Sequence, residues 1–191
     1  MNSDAPDFTL VAGLSSSGKS TWLEAQAEGP MVIPFEFGND LSNLPKGALV
    51  HYNTLRYADN EVAHLDRDFE SDPFLTAVLE RSGHFDVVYV AAPPAELRRR
   101  IRRRRTLERG TGVYPRKSVA GAQAALDHRA FHAAWLDLLD RHARRMRIVL
   151  SETSGFREVT REELLAAVQT SSDGDGALAR LGRALGRLVG R

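Results

Sequence analysis

The residues with the clearest chemical meaning form one stretch near the amino terminus, Gly13-Leu14-Ser15-Ser16-Ser17-Gly18-Lys19-Ser20. This stretch matches the pattern G-x-x-x-x-G-K-[ST] at every position, a pattern typical of loops that bind nucleotide phosphates. Its glycines let the backbone bend so that successive N–H groups converge on an anion. The predicted nucleotide-binding residues of this loop are Gly13, Ser15, Ser16, Ser17, Gly18, Lys19, Ser20 and Thr21.

The neighbouring sequence has the elements that such a loop needs. An apolar run of strand length covers residues 8–12, and a helical pattern covers residues 20–27. A strand before and a helix after are the required context of the motif, so we favour a nucleotide site over an ordinary Gly/Ser turn. Lys19 is then expected on an exposed loop, reaching the β- and γ-phosphates, and the Ser20 hydroxyl is expected to bind Mg²⁺.

The composition limits the kind of protein. The chain has 191 residues, a formal net charge of +1 and no cysteine. This length predicts one domain with a substantial core, and the lack of cysteine excludes disulfides, a thiolate nucleophile and cysteine-bound zinc. The near-zero net charge gives no general attraction to nucleic acid. Because the first residues are polar and acidic and no apolar run approaches the length of a membrane span, we expect a soluble, cytoplasmic protein.

Strands and helices alternate along the predicted chain. Apolar runs of strand length cover residues 8–12, 31–37, 48–53, 85–90 and 147–150. Helical patterns cover residues 20–27, 73–81 with Asp72 as N-cap, 95–109, a long stretch from near 118, and a last helix with a capping box from Thr160 to Glu163. This alternation predicts an α/β fold in which a five-stranded parallel sheet has helices on both faces and binds ligands at the carboxyl ends of its strands.

The carboxyl-terminal end is predicted to lie apart from the main domain. Residues 1–170 form that domain, and residues 171–176, rich in Ser, Asp and Gly, form a flexible linker. Residues 177–191 form a basic amphipathic segment with leucines on one face and arginines on the other. Such a segment either docks on its own domain or binds a second copy or a membrane surface.

The motif and the order of the segments resemble the small-molecule kinase branch of the P-loop proteins. That group contains shikimate kinase, gluconate kinase, chloramphenicol phosphotransferase, the polynucleotide-kinase domains and the zeta toxins. The resemblance covers about residues 8 to 169 and implies a three-layer P-loop NTPase fold with an arginine-rich lid at about 105–118. It implies ATP and Mg²⁺ as cofactors and transfer of the γ-phosphoryl group to a hydroxyl of a small-molecule acceptor, whose identity the sequence does not specify.

The end of the third predicted strand holds the candidate acceptor-site residues His51, Asn53 and Arg56. The resembling kinases have an aspartate there as proton acceptor and an arginine three residues later. This chain keeps the arginine, so Arg56 is expected to hold the acceptor, but Asn53 replaces the carboxylate. His51 shares a strand face with Asn53 and is the predicted general base, although a hydrogen-bonded strand histidine explains it equally well. The alternative bases are Asp40, Asp59 and Asp66.

A run of arginines follows the fourth predicted strand. A helix with so many arginines carries them all around its axis, so most are expected to be solvated surface. In the resembling kinases the following lid places arginines on the transferred phosphoryl group, and position favours Arg105, Arg109 and Arg116 for this role. No aromatic residues interleave the arginines to stack bases, which argues against a polynucleotide as acceptor.

The cofactors have few other predicted ligands. Phe156 follows the fifth strand, where the resembling kinases hold adenine, and is predicted to stack on the base. No apolar strand ends in a carboxylate, so Mg²⁺ is expected to rest on Ser20 and on the nucleotide phosphates, with Asn53 or an acidic loop residue bound through water. His128 and His132 have the spacing of a zinc-binding pair on a helix, but no third ligand is evident, and we do not predict zinc.

Two other functions fit part of the pattern. Sulfotransferases also have a Ser-Gly stretch followed by Thr and Trp in their phosphate loop, and they commonly use a histidine base, which would suit His51. The Gly18-Lys19-Ser20 form of the loop instead favours a nucleoside triphosphate. A non-catalytic nucleotide-binding or regulatory module is the other alternative, because the expected carboxylate is missing.

Overall fold

The computed structural model describes residues 5–26, 31–32, 41, 44–55, 72–104 and 116–169, in which strands and helices alternate. The strands are β1 (Phe8–Gly13), β2 (Met31–Val32), β3 (Ala48–Asn53), β4 (Phe85–Ala91), β5 (Arg145–Glu152) and β6 (Gly155–Glu158). The helices are α1 (Lys19–Gln26), α2 (Pro73–Glu80), α3 (Pro94–Arg103), α4 (Arg116–Ala124), α5 (His128–His142) and α6 (Arg161–Ala167).

The strands of the described chain form one sheet in the order β2-β3-β1-β4-β5-β6. The first five of these are parallel to one another, whereas β6 folds back antiparallel to β5. The strand β1 lies between β3 and β4, and its last residue, Gly13, pairs with Asn53 at the end of β3. This topology brings the residues that follow β1 beside those at the end of β3.

Helices cover both faces of the sheet, because alternate strand residues point to opposite faces. On one face, Leu10, Tyr52 and Tyr89 share a large core with Trp135 of α5 and Leu164 of α6. On the other face, a smaller cluster joins α1 to three strands through Val11, Trp22, Leu23, Val88, Val90 and Val149. The predicted α/β fold with a mostly parallel sheet between helices is confirmed. Within the described residues, each helix is too short or too polar to cross a bilayer.

Several element boundaries differ from the predictions. The five parallel strands are present, but the antiparallel β6 was not predicted. The long helix predicted from near Ser118 is wrong, since α4 ends at Ala124 and α5 begins at His128. The break occurs where the Asp127 side chain accepts a hydrogen bond from the N–H of Ala130 and caps a new helix. The third predicted helix, residues 95–109, is also too long, since α3 ends at Arg103 and Arg104 is extended. Much of the second predicted strand, the linker and the carboxyl-terminal segment lie outside the described residues.

The cap of α2 also ties this helix to the sheet. Asp72 accepts hydrogen bonds from the backbone N–H groups of Phe74 and Leu75, as predicted for an N-cap before Pro73. Its second carboxylate oxygen accepts a hydrogen bond of 2.5 Å from the hydroxyl of Tyr52 on β3. Both residues are buried, so one carboxylate satisfies three buried donors.

Replacing Asp72 with alanine is expected to lower the free energy of unfolding by about 2–4 kcal/mol, the sum of a lost cap and a lost hydrogen bond from the Tyr52 hydroxyl to a carboxylate. Chemical denaturation measures this loss. The matched control is Asp127→Ala, which removes an exposed cap that accepts a hydrogen bond from the N–H of Ala130, and is expected to cost only about 1 kcal/mol. Equal losses in the two variants would contradict the role given to the Tyr52 contact.

Candidate functional site

A cavity of about 660 Å³ lies beyond the carboxyl ends of β1, β3 and β5. Its walls come from the loop between β1 and α1, the end of β3, one side of α3, and the turn between β5 and β6. The lining residues are Ser15, Ser16, Gly18, Lys19, Ser20, Thr21, His51, Asn53, Glu96, Arg99, Arg100, Arg104, Ser151, Glu152, Thr153, Gly155 and Phe156. Most of the predicted phosphate loop thus faces one cavity together with His51, Asn53 and Phe156.

The two glycines of the predicted phosphate loop are required by its shape. Gly13 has φ +155°, and a Cβ atom on it would lie 2.1 Å from the carbonyl oxygen of Val90. Gly18 has φ +105°, and a Cβ atom there would lie 2.7 Å from the hydroxyl oxygen of Ser151. Both positions combine a backbone conformation that side chains rarely adopt with a lack of space, so the glycine spacing of the motif follows from the fold.

Side chains hold the carbonyl groups of this loop. Lys19 donates from Nζ to the carbonyl oxygens of Gly13 at 2.9 Å and Leu14 at 2.8 Å. The carbonyl of Ser15 accepts a hydrogen bond from Gln123 Nε2 at 2.8 Å, and that of Ser17 accepts one from Arg100 Nη1 at 2.8 Å. In a trans peptide the next N–H points opposite to the carbonyl, so the amides of residues 16 and 18 point away from these donors.

Lys19 is more buried than the sequence indicated. It is the first residue of α1 and only 3% exposed, not a residue on an exposed loop. Burial, with a smaller effect from the nearby Arg104 guanidinium, lowers the pKa of Lys19 to about 7. The protonated form is therefore costly here until an anion arrives, and the loop carbonyls stabilise it in the meantime.

The end of β3 places two predicted residues on the cavity wall. His51 is half-buried and Asn53 is exposed, and β1 lies alongside, with Val11 opposite His51. Burial, followed by the positive charges of Lys19 and Arg104, lowers the pKa of His51 to about 4. The imidazole is therefore uncharged at neutral pH, with a free electron pair that can accept a proton.

A charged network on α3 forms the opposite wall, and the sequence analysis did not single out its members. The carboxylate of Glu96 accepts hydrogen bonds from Arg99 Nε at 2.8 Å, Arg100 Nε at 2.7 Å and the Thr153 hydroxyl at 3.2 Å. Its hydrogen bonds with Arg99, and secondly with Arg100, lower the pKa of Glu96 to about 2. A carboxylate so strongly paired is a poor proton acceptor. The spacing of Glu96 and Arg100, four residues apart on a predicted helix, was the available signal.

The turn between β5 and β6 closes the cavity near the phosphate loop. The ring of Phe156 is 37% exposed, and its Cε1 atom lies 3.3 Å from the Cβ position of an alanine at residue 18. An exposed aromatic face beside the loop is available for stacking on a planar group, the role predicted for this residue.

Other predicted residues fall outside this description. Arg56, Arg105 and Arg109 lie outside the described residues, as do the alternative bases Asp40, Asp59 and Asp66. Arg116 begins α4, but its side chain is not among those described.

His128 and His132 are buried in α5 and do not line the cavity. Nδ1 of His132 lies 2.7 Å from the hydroxyl of Tyr89.

The cavity offers few ligands for a metal ion. Ser20 and Asn53 contribute hydroxyl and amide oxygens, which are donors that Mg²⁺ accepts. The two carboxylates in the lining are both engaged, Glu96 with its arginines and Glu152 with Arg157 at 3.4 Å. Across the part of the chain that the structure describes, no cluster of three or more metal-binding side chains is present. The residues fit Mg²⁺ only as an ion held largely by bound phosphates.

Comparison of the sequence with known proteins does not identify a function for this chain. No protein-family model matches the chain, and no curated protein matches it at a significant level. The geometry and charges of the cavity are therefore the basis for assigning a function.

Proposed function

We propose that this protein is a P-loop kinase that transfers the γ-phosphoryl group of ATP to a hydroxyl of a small molecule. The observation that carries the proposal is the loop between β1 and α1. It matches the phosphate-binding pattern in sequence, it opens a helix at the carboxyl end of the central strand, and its carbonyl groups are held by side-chain donors. The fold proposed on this basis is the three-layer P-loop NTPase fold, with a lid at about 105–118.

The charges of the cavity favour a polyanionic ligand. Four cationic side chains line it, Lys19, Arg99, Arg100 and Arg104, against the two carboxylates of Glu96 and Glu152. The amino terminus of α1 adds the positive end of a helix dipole. A nucleoside triphosphate suits this balance, and Phe156 lines the same cavity beside the loop.

Each part of the cavity has a role in this proposal. Lys19 leaves the loop carbonyls to bind the β- and γ-phosphates, and Phe156 stacks on the base. Ser20 and Asn53 would hold Mg²⁺, which when bound neutralises charge on the phosphates. His51 accepts the proton of the attacking hydroxyl. Among the residues outside the description, Arg56 is proposed to hold the acceptor, and Arg105 and Arg109, with Arg116, to close over the phosphoryl group.

A sulfotransferase is the second candidate, and one observation favours it. The cavity places an uncharged histidine, His51, near Lys19, and the two carboxylates of its lining are engaged with arginines. This arrangement suits a metal-independent transfer from a nucleotide sulfate donor. The match of residues 18–20 to the nucleoside-triphosphate motif favours the kinase.

A panel of ligands tests these alternatives by thermal denaturation. For a kinase, ATP with Mg²⁺ is expected to stabilise the protein by about 2.7 kcal/mol at one hundred times its dissociation constant. GTP and ATP without Mg²⁺ are expected to stabilise it less. Stabilisation by 3′-phosphoadenylyl sulfate alone would replace the kinase with the sulfotransferase, and the absence of stabilisation by any of these ligands would contradict both. Binding of ATP without any ADP formation would favour the non-catalytic module.

A further inference from the structure

Two side chains from outside the phosphate loop hold its backbone. Arg100 on α3 donates to the carbonyl of Ser17, and Gln123 on α4 donates to the carbonyl of Ser15. These contacts join residues 83 and 108 positions apart in the chain.

The guanidinium of Arg100 is held in one orientation. Its Nε donates to Glu96 at 2.7 Å, and its Nη1 donates to the Ser151 hydroxyl at 3.0 Å as well as to Ser17. Its Nη2 donates to the carbonyl of Glu152 at 3.3 Å. A planar guanidinium that makes these four hydrogen bonds cannot rotate toward a ligand without breaking several of them.

Gln123 is equally constrained. Its side chain is 3% exposed, and its Nε2 donates to the carbonyl of Ser15 at 2.8 Å. Its own backbone carbonyl lies 2.9 Å from Nε2 of His128, the first residue of α5. The loop contact is therefore built into the junction between α4 and α5.

A loop that presents several N–H groups to one point has a physical cost in the absence of an anion. The positive ends of the N–H dipoles repel one another, and only an anion or an external restraint offsets this repulsion. Donors on the carbonyl side of the same peptides provide such a restraint. We propose that Arg100 and Gln123 are positioning residues that keep the phosphate loop in its anion-binding conformation before the ligand arrives.

This inference rests on the proposed function of the loop, but it has a matched control within the chain. Arg99 stands next to Arg100 on α3 and also donates to Glu96, but it donates to the Thr153 hydroxyl at 3.2 Å rather than to the loop. The variants Arg99→Gln and Arg100→Gln lose the same charge and a hydrogen bond to the same carboxylate. They differ in that only Arg100 contacts the phosphate loop, and it also contacts Ser151 and Glu152.

The experiment measures binding and loop order in the full chain. Dissociation constants of ATP and of inorganic pyrophosphate are determined by calorimetry, and hydrogen exchange is followed for a peptide covering residues 14–20 without ligand. Arg100→Gln is expected to weaken binding of both ligands about tenfold or more, and Gln123→Met about threefold. Both are expected to speed amide exchange in the loop peptide, whereas Arg99→Gln, which removes a cavity charge but no loop contact, is expected to weaken binding less and to leave loop exchange near the wild-type value.

Two further measurements separate positioning from a direct contact with phosphate. A direct charge contact would make the affinity of Arg100→Gln less dependent on salt concentration than that of Arg99→Gln, which loses the same charge, whereas a positioning role leaves the two salt dependences equal. Arg100→Lys keeps the charge but loses the fork, so it is expected to restore little affinity. Full rescue by lysine, a salt dependence below that of Arg99→Gln, or unchanged loop exchange in Arg100→Gln would overturn the proposal.

The outcomes also separate this inference from the proposed function. If the wild-type protein binds neither ATP nor pyrophosphate, the kinase proposal fails, and the exchange measurement still decides whether Arg100 orders the loop. If the wild type binds both ligands and Arg100→Gln behaves as Arg99→Gln does, the positioning role fails alone.

Discussion

ADP formation from ATP is expected to fall roughly 10²- to 10³-fold when Lys19 is replaced by alanine or methionine, the usual effect of removing a preorganised charge from a developing negative charge. Lys19 lies at the amino terminus of α1, where the helix dipole and the loop amides converge. Its Nζ atom contacts the carbonyls of Gly13 and Leu14, and Lys19 lines the same cavity. Turnover is measured with ATP and Mg²⁺, with water or added alcohols as acceptors.

The fold is expected to survive this substitution. The carbonyl of Gly13 keeps the hydrogen bond from the Thr54 N–H at 3.1 Å, and that of Leu14 keeps the one from Ser17 at 3.1 Å. Neither carbonyl is left without a donor, so the large penalty of a buried unsatisfied group is avoided. Methionine is the better variant, since it retains an unbranched stem at a site that is 3% exposed.

The matched control is Lys46→Met at the opposite end of the sheet. Lys46 lines a separate cavity next to Phe8, the first residue of β1. Loss of a lysine there is expected to leave ADP formation within about twofold of the wild type, because a charge beyond the Debye length is screened. Near-normal turnover in Lys19→Met, or an equal loss in both variants, would remove the phosphate-loop assignment.

The phosphate loop and its flanking elements could be predicted from the sequence because their causes are local. Gly13 and Gly18 have positive φ angles and leave no room for a side chain. The motif specifies glycine at both positions, so the sequence already contains this information. The apolar run of residues 8–12 predicts β1, and the helical pattern of residues 20–27 predicts α1. A register of β3 beside β1 then places His51 and Asn53 in the cavity.

The partners of this loop could not be predicted, because their contacts depend on the folded arrangement. Arg100 is one arginine in a long run, and only the packing of α3 selects it over Arg99 as the residue that contacts Ser17. Gln123 has no sequence signal at all. The burial of Lys19 was missed for a similar reason, since the motif specifies its position but not what covers it.

The structure changes the pH range in which His51 is expected to take up a proton. An unperturbed histidine has a pKa near 6.5, whereas burial, Lys19 and Arg104 lower that of His51 to about 4. The free protein therefore keeps His51 able to accept a proton at any pH well above about 4. A bound triphosphate brings negative charge next to the same two cations, so the pKa of His51 is expected to rise in the complex.

If His51 is the base, two pH profiles of ADP formation should differ. The profile of kcat/KM for ATP reports the free protein, so its acid limb is expected near the free-state pKa of about 4. The profile of kcat reports the complex, and its limb is expected at a higher pH. His51→Ala should lower turnover roughly 10²-fold or more and flatten both limbs, because a general base contributes about that much.

Acid unfolding must be kept apart from these limbs. Burial lowers the pKa of His132 to about 3, so its neutral form stabilises the fold fully above the unfolded value near 6.5 and this contribution is lost as the pH falls from there towards about 3. Far-ultraviolet circular dichroism at each pH identifies the range in which the protein is folded. The matched control for His51→Ala is His84→Ala, which removes an exposed histidine from the cavity at the opposite end of the sheet.

A carboxylate at the end of β3 gives the decisive variant. Asn53 is exposed and lines the cavity beside His51, so Asn53→Asp places a proton acceptor of lower intrinsic pKa at the same strand end. In the His51→Ala background it is expected to recover part of the lost turnover, with an acid limb set by the new carboxyl group. A His51→Ala protein that keeps the wild-type rate and both limbs would show that the proton goes elsewhere, and Asp40, Asp59 and Asp66 would then be replaced in turn.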